Sequence, residues 1–305
     1  MILLIGGTGF LGSHIVEELR VAKQLPIRIL TLGEGDWHQN SLSNLKEMGI
    51  ESIVGNILNP RVVAAALDGC STVINASGRL RTPYDTTYRD LHVDAVKIIC
   101  EEAIKKGVQR LIHVSCLGAG EYSNSEYYRL KWEGEQIVKK AELYWTIFRP
   151  AYLFGDRCEF INLLKPLLKV PMVLPVIGSG LNHLQLVCVE DVASCIVQSL
   201  PMQETIHQVI DLIGPNTYTL YELMTLLRSE LPTVKPTIAI TLALSLKILK
   251  PLHLLLPKIG LNAEFIHMLT CNLQGNPMLM KKYFQIKEPA LEQYIQRIVH
   301  QTTNK

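Results

Sequence analysis

Short apolar runs alternate with stretches of helical spacing through the first half of the chain. MILLI, IRILTL, ESIVG, STVINAS, RLIHVS and YWTIFRP are each short, apolar-rich and bounded by turn residues, which predicts strands. FLGSHIVEELRVAK places Ile15, Leu19 and Val21 at helical spacing. Further helices are expected near Leu42–Met48, over RVVAAALDG, over Thr86–Lys106 and over Ser125–Ala141. Strands separated by helices imply a parallel sheet covered on both faces and joined by right-handed crossovers. The expected fold class is α/β, a doubly wound parallel sheet.

Beyond Pro150 the rhythm loosens. HLQLVCVEDVASCIVQSL and HQVIDLIGPNTYTLYELMTLL still pair a strand with a helix, and the remainder reads as smaller and mostly helical. There is no Gly/Ser linker, so an α/β part over 1–155 and a closely integrated C-terminal part over 156–305 are the expected division. Residues 236–261 are densely apolar, and Leu231–Ala263 carries four lysines but no acid. Its uncharged run is short of the ~18 apolar residues a spanning helix needs. Pro251 and Pro257 also break it. One reading is a buried helix pair over a substrate cleft. The other is an amphipathic segment touching an anionic membrane, which would suit a lipid-like or quinone substrate.

Composition narrows the class. Of 305 residues, 48% are hydrophobic and 19% charged, which describes a folded chain with a sizeable core. The net charge of +2, without a basic run, argues against nucleic acid as a partner. Seven scattered cysteines without a CxxC pair read as reduced thiols in a cytosolic setting, and no metal site is visible. MILLIGGTG has no basic n-region and reads as a strand rather than a signal peptide.

The candidate chemistry begins at GGTGFLG, between the first strand and the first helix. Gly6, Gly9 and Gly12 give GxxGxxG, and Gly7, Gly9 and Gly12 give GxGxxG. Glycines there permit a tight turn, a close approach to a pyrophosphate and helix–strand packing, while the helix N-terminus offers N–H groups. The strand–loop–helix context is what makes the motif specific. An acid about 20 residues on would favour NAD, and an arginine NADP. Glu34 and Asp36 follow the second strand, and residues 34–45 hold no Lys or Arg. That weakens the case for a 2′-phosphate, and the choice between NADP and NAD stays open.

Beyond the glycine loop, VGNILNP, VINASG, RLIHVSCLGAG, EYYRLKWEGEQIV, TIFRPAYLFG, LQLVCVEDVA and IGPNTYTLYEL follow in order. With that set the chain resembles the atypical short-chain dehydrogenase/reductases, in particular bacterial relatives of the nucleotide-binding accessory subunit of mitochondrial complex I. The resemblance spans nearly the whole chain. It implies that Gly6, Thr8, Gly9, Phe10, Leu11 and Gly12 hold the pyrophosphate and that Asn56 and Ile57 edge the adenine. The family more often carries Asp where Asn56 stands. Ala76, Ser77 and Gly78 would line the path to the nicotinamide ribose, with Pro150 near the nicotinamide. His92 stands where many of these enzymes carry Asn, which puts a proton relay through the long helix in doubt. Arg149 and Phe154 flank the site by position, and Gln185, Glu190 and Asp191 match the family pattern, Asp191 as a helix cap or opener.

A tyrosine and a lysine four apart occur twice, as Tyr127/Lys131 and Tyr283/Lys287. In the family the reactive tyrosine follows strand five and its serine, which selects Tyr127, Lys131 and Ser115. A free tyrosine, with a pKa of about 10, is a poor base at neutral pH. A lysine one helical turn away favours its phenolate, and Lys131 would also bond the nicotinamide ribose. Ser115 would hold a substrate oxygen. Tyr128 lies about 100° around the helix with Trp132 at its fourth position, which suits packing or substrate contact. The implied activity is an NAD(P)-dependent oxidoreductase or redox isomerase acting on a small molecule. The competing readings are a structural or assembly protein that holds its nucleotide permanently, associated with respiratory or quinone machinery, and a nucleotide sensor. The expected location is cytoplasmic, or peripheral to the inner face of a membrane.

Overall fold

The computed structural model describes residues 1–24, 26–32, 36–79, 86–156, 158–168, 170, 172–228, 236–247 and 263–295. The first half runs β1 (Ile2–Ile5), α1 (Phe10–Val21), β2 (Ile27–Thr31), α2 (Asp36–Glu47), β3 (Glu51–Val54), α3 (Pro60–Ala66) and β4 (Thr72–Asn75). It continues with α4 (Ala95–Lys105), β5 (Arg110–Val114), α5 (Glu126–Lys140) and β6 (Tyr144–Pro150). Local sequence explains several ends. Asn59 accepts from Arg61 N and Pro60 opens α3, where a missing N–H costs nothing. Thr87 and Asp90 cap the long helix reciprocally, Thr87 N donating to Asp90 and Asp90 N to Thr87 Oγ1.

Seven parallel strands form the main sheet in the order β10-β6-β5-β4-β1-β2-β3, where β10 is Gln208–Leu212. The apolar runs are unbroken because neighbouring residues of each strand enter opposite cores. Leu4, Ile29, Ile74, Ile112 and Phe148 pack on one face. Leu3, Leu30, Val73, Leu111 and Ile147 pack on the other, under α3 and α4. Strand order reverses between β1 and β4, so the crevice that doubly wound sheets use for ligands opens at the C-terminal ends of those two strands.

The C-terminal part carries more strand than its sequence suggests. β7 (Tyr152–Phe154), β9 (His183–Cys188) and β11 (Thr217–Thr219) form a three-stranded sheet. β8 (Leu174–Ile177) pairs in parallel with β12 (Thr237–Ile240). α6 (Glu159–Leu168), α7 (Val189–Gln198), α8 (Leu220–Arg228) and the short helices Ala263–Leu269 and Met278–Tyr283 fill the rest. Since β10 joins the main sheet, the two parts share one core rather than meeting at a linker.

Three local expectations change. The helix expected near Leu42–Met48 begins earlier, at Asp36. The long helix expected over Thr86–Lys106 contains a π-helical turn at Asp90–Asp94. The helix pair expected over 236–261 begins instead with strand β12, whose β-branched Thr237, Ile238 and Ile240 suit an extended chain. Ile238 and Leu244 are 48% and 49% exposed, so this stretch is not buried as expected. Residues 248–262 lie outside the described residues. No helix among the described residues is long and apolar enough to cross a membrane. All seven cysteines carry free thiols.

Candidate active site

The glycine loop is built for close contact. Gly6 leaves β1 with φ of +83°, a conformation that favours glycine. A Cβ on Gly12 would lie 2.0 Å from the Gly6 carbonyl oxygen, so no larger residue fits between α1 and the loop. Gly9 is the N-cap of α1 and offers no side-chain acceptor, and no acid stands in the first turn. The first N–H groups of α1 are therefore uncapped by side chains, the arrangement that suits an anion. Thr8 Oγ1 bonds Thr31 Oγ1 at 2.6 Å, fastening the loop to the end of β2. These residues fit the pyrophosphate of a dinucleotide.

A cavity of about 350 Å³ runs from this loop across the ends of β4, β5 and β6. Gly6, Thr8, Gly9, Phe10, Leu11, Gly12, Ile57, Ala76, Ser77, Gly78, Ser115, Tyr127, Lys131 and Pro150 all line it. Asn56 does not. It is exposed, and its Oδ1 accepts from Leu58 N at 2.9 Å to shape the turn after β3. Glu34 lies outside the described residues. Ser77 Oγ donates to Asn75 Oδ1 at 2.6 Å, and Asn75 Nδ2 lies 3.2 Å from His113 Nδ1. Burial, with Lys131 nearby, depresses the His113 pKa to about 3. The imidazole is thus neutral and accepts from Asn75, which fixes the Ser77 hydroxyl at the end of β4.

Tyr127 and Lys131 occupy successive turns of α5, and both side chains are buried. Lys131 Nζ sits 5.9 Å from the Tyr127 ring centroid and donates to Val114 O at 3.2 Å. Burial lowers the Lys131 pKa, while Cys116 and Glu135 act in the opposite sense. Ser115, 3% exposed, has no partner for its Oγ among the described residues. His92 packs edge-on to Tyr127, with centroids 5.1 Å apart, from within the π-helical turn. Burial first, then Lys131 and His113, holds its pKa well below the usual histidine value, and its Nε2 has no protein partner among the described residues. Tyr128 turns elsewhere. Its hydroxyl lies 3.0 Å from that of Tyr152, and Tyr152 donates to Met268 O. The second tyrosine–lysine pair is remote: Tyr283 ends a short helix beside Phe284, and Lys287 N donates to Asp191.

The C-terminal segment completes the site in a way no local motif announces. Ser125 caps α5, accepting from Tyr128 N at 3.2 Å. The Glu264 carboxylate accepts from both Ser125 Oγ and Tyr127 N, the latter at 3.0 Å. Met268 and Leu273 line the cavity. Gln185 holds the strap by accepting from Gly275 N at 2.7 Å. Asp191 lies in the first turn of α7 and accepts from Lys287 N and Glu288 N, tying the C-terminal segment down rather than capping its own helix. Glu190 accepts from Cys188 Sγ. Arg149 makes a bidentate pair with buried Glu135, at 2.7 and 2.6 Å, fastening α5 to β6 without lining the cavity. Phe154 is likewise core, against Tyr294.

The family model for NAD(P)H-binding proteins matches residues 6–165. The chain is 32% identical over 226 residues to NADH dehydrogenase [ubiquinone] 1 alpha subcomplex subunit 9, mitochondrial, of Arabidopsis thaliana, covering 72% of this chain and 55% of that protein. The chain thus spans little more than half the length of that relative. It is 25% identical over 242 residues to the NAD(P)H azoreductase of Xenophilus azovorans, covering 79% of this chain and 78% of the other. Its fold matches the Citrobacter sp. triphenylmethane reductase complexed with NADP(H), with TM-score 0.75, 16% identity and coverage of 97% and 99%. The glycine cradle, the strand reversal above it and the matched span agree, and the chain belongs to the NAD(P)H-binding family.

Proposed function

We propose that this protein is an NAD(P)-dependent oxidoreductase or redox isomerase of the atypical short-chain dehydrogenase/reductase type. The observation that carries the reading is the convergence of Ser115, Tyr127 and Lys131 on the cavity that begins at the glycine loop. Gly6, Thr8, Gly9, Phe10, Leu11 and Gly12 hold the pyrophosphate, Ile57 the adenine end, with Asn56 at its margin, and Ala76, Ser77, Gly78 and Pro150 the nicotinamide end. Bound there, the nicotinamide supplies or accepts the hydride. Ser115 Oγ, whose hydrogen-bonding capacity is unused among the described residues, orients a carbonyl or alcohol oxygen. Tyr127 gives that oxygen a proton as the C=O π bond opens, and takes one back in the reverse direction. Lys131, whose Nζ lies 5.9 Å from the Tyr127 ring centroid, stabilises the resulting phenolate. His92 and His113 stay neutral and so add no charge against Lys131. Tyr127→Phe is expected to abolish turnover while nucleotide affinity stays within about twofold, because it removes the proton and little else. Wild-type turnover by that variant on a genuine substrate would sink the assignment.

The similarity to complex I subunits favours a second reading: a nucleotide-bound structural or assembly protein of respiratory or quinone machinery. Stopped-flow displacement of NADPH and NADH separates the two. Release within seconds supports turnover, and retention for hours supports a structural nucleotide. Peripheral contact with the inner face of a membrane, through residues 236–261 of an otherwise cytoplasmic protein, belongs to the same proposal and would suit a lipid-like or quinone substrate. Its support is the exposure of Ile238 and Leu244 near Lys247. Flotation with anionic liposomes tests it, and protein left wholly in the soluble fraction would end it.

A further inference from the structure

The end of the cavity beyond Ser115 has a chemistry of its own. It is walled by Leu117, Tyr128, Tyr152, Phe160, Met268 and Leu273. Among the described lining residues only Arg79 and Lys131 are charged. Arg79 follows Gly78, which lies beside Lys131 at the nicotinamide end, and Lys131 itself is committed beside Tyr127. Among the described residues no cation is left for the far end.

Its phenol donors are also spent, and the Cys116 thiol is only a weak donor. Tyr152 has one hydroxyl proton, and that proton goes to Met268 O, which can only accept. The 3.0 Å contact between the two phenols is therefore made by the proton of Tyr128. Burial raises the pKa of both phenols, so they stay neutral and offer lone pairs only. Two nearby backbone groups are committed too: Leu117 N donates to Pro150 O and Ala151 N to Leu212 O, both at 2.8 Å. A phosphate, carboxylate or sulfonate placed here would lose its water and find, among the described residues, neither a cation nor a strong side-chain donor. Burying an unpaired anion in that way is strongly unfavourable.

We infer that this site takes an uncharged carbonyl compound whose body beyond the reacting carbonyl is apolar, such as a quinone ring system, and that it rejects sugar nucleotides and other anionic substrates. The inference rests on the redox reading of the same cavity, and binding separates the two. Ser115 and Tyr127 supply donors at the reacting oxygen, and the remainder of the substrate meets rings and aliphatic carbon.

The test uses the full chain saturated with NADP⁺ and, in parallel, with NAD⁺. Calorimetry then measures the binding of 1,4-naphthoquinone, 1,4-naphthoquinone-2-sulfonate and UDP-glucose. The first is expected to bind at micromolar concentration, and the other two at least about 100-fold more weakly, the scale of an unpaired buried charge. Leu273→Lys, which sets a cation into the far wall, is expected to narrow the quinone–sulfonate ratio at least tenfold. If that variant does not fold, the wild-type ratio alone decides. Equal or tighter binding of the sulfonate or of UDP-glucose, or no binding of naphthoquinone up to about 1 mM, overturns the inference. Selective quinone binding without turnover under NADPH or NADH leaves it standing and removes the oxidoreductase reading instead.

Discussion

Replacing Glu264 by alanine is expected to loosen the helix that carries Tyr127. The half-buried carboxylate accepts from the Ser125 hydroxyl and from Tyr127 N. Hydrogen bonds to a charged group contribute about 1.5–3 kcal/mol each, and helix N-caps typically about 1 kcal/mol. Two bonds to one oxygen do not add, and Ser125 still caps Tyr128 N without Glu264. The expected loss is therefore about 2 kcal/mol. With a urea m-value of about 3 kcal/mol/M, the unfolding midpoint falls by about 0.7 M. Glu264→Gln keeps an acceptor oxygen and should lose less than half as much. Urea titration by tryptophan fluorescence reads both variants. An alanine variant within about 0.1 M of the wild type, or a glutamine variant as weak as alanine, refutes the argument that this carboxylate holds the start of α5. Calorimetric nucleotide affinity is expected to stay within about threefold in both, since Glu264 does not line the cavity.

Gly12→Ala should abolish dinucleotide binding in a calorimetric titration, because its Cβ has no room beside the Gly6 carbonyl; unchanged affinity would contradict the loop's packing. Glu135→Leu alone leaves Arg149 without its carboxylate and should cost about 3 kcal/mol in urea unfolding, while Glu135→Leu with Arg149→Leu should recover most of it. Equal losses in the single and double variants would mean that the pair is not the source of the stability. Stability should also fall on acidification. His113 and His92 have pKa values depressed by folding, so the unfolded chain binds more protons below its own histidine pKa of about 6.5. The stability they contribute is complete above that pH and is lost as pH falls through the window down to about 3 for His113, at up to about 1.4 kcal/mol per pH unit for each histidine. His113→Leu should flatten the slope of unfolding free energy between pH 6.5 and pH 4.5 by up to one proton, and an unchanged slope would exclude His113 as a source.

Legibility in the sequence follows the range of the physics. Leu3 and Leu4, Val73 and Ile74, and Leu111 and Ile112 are adjacent in the chain and enter opposite cores, so unbroken apolar runs announce a doubly covered sheet. The glycine loop is as local: its turn, its close approach and its helix N-terminus lie within Gly6–Gly12. Tyr127 and Lys131 are set by one helical turn, although resemblance to a family was needed to prefer them over Tyr283 and Lys287. What stayed hidden is made through space. Glu264, Met268 and Leu273 sit in no recognisable motif, and only the packing of distant segments gives them work. The extended conformation at β12 was masked by apolar density, which does not distinguish a strand from a helix. The π-helical turn at Asp90–Asp94 inserts one residue without altering the apolar character of Leu91, Ala95 and Val96, so periodicity passed over it. Asn56 was assigned to the adenine by its place in a pattern, while its carboxamide oxygen serves its own turn.

The Ser125–Glu264 contact spans 139 positions along the chain. Ribosomes add roughly 5–20 residues per second, so roughly 7–28 s separate the synthesis of its two ends. The glycine loop, its helix and the first six strands are made long before then, and their contacts are comparatively short in sequence. A nascent chain can thus form the glycine loop and its strands while Tyr127 N, on a helix capped by Ser125 alone, still lacks its Glu264 acceptor. On the proposed chemistry the tyrosine would be set in place late in biogenesis, and a ribosome stalled between residues 150 and 264 would expose a glycine loop and six strands whose α5 lacks the Glu264 contact.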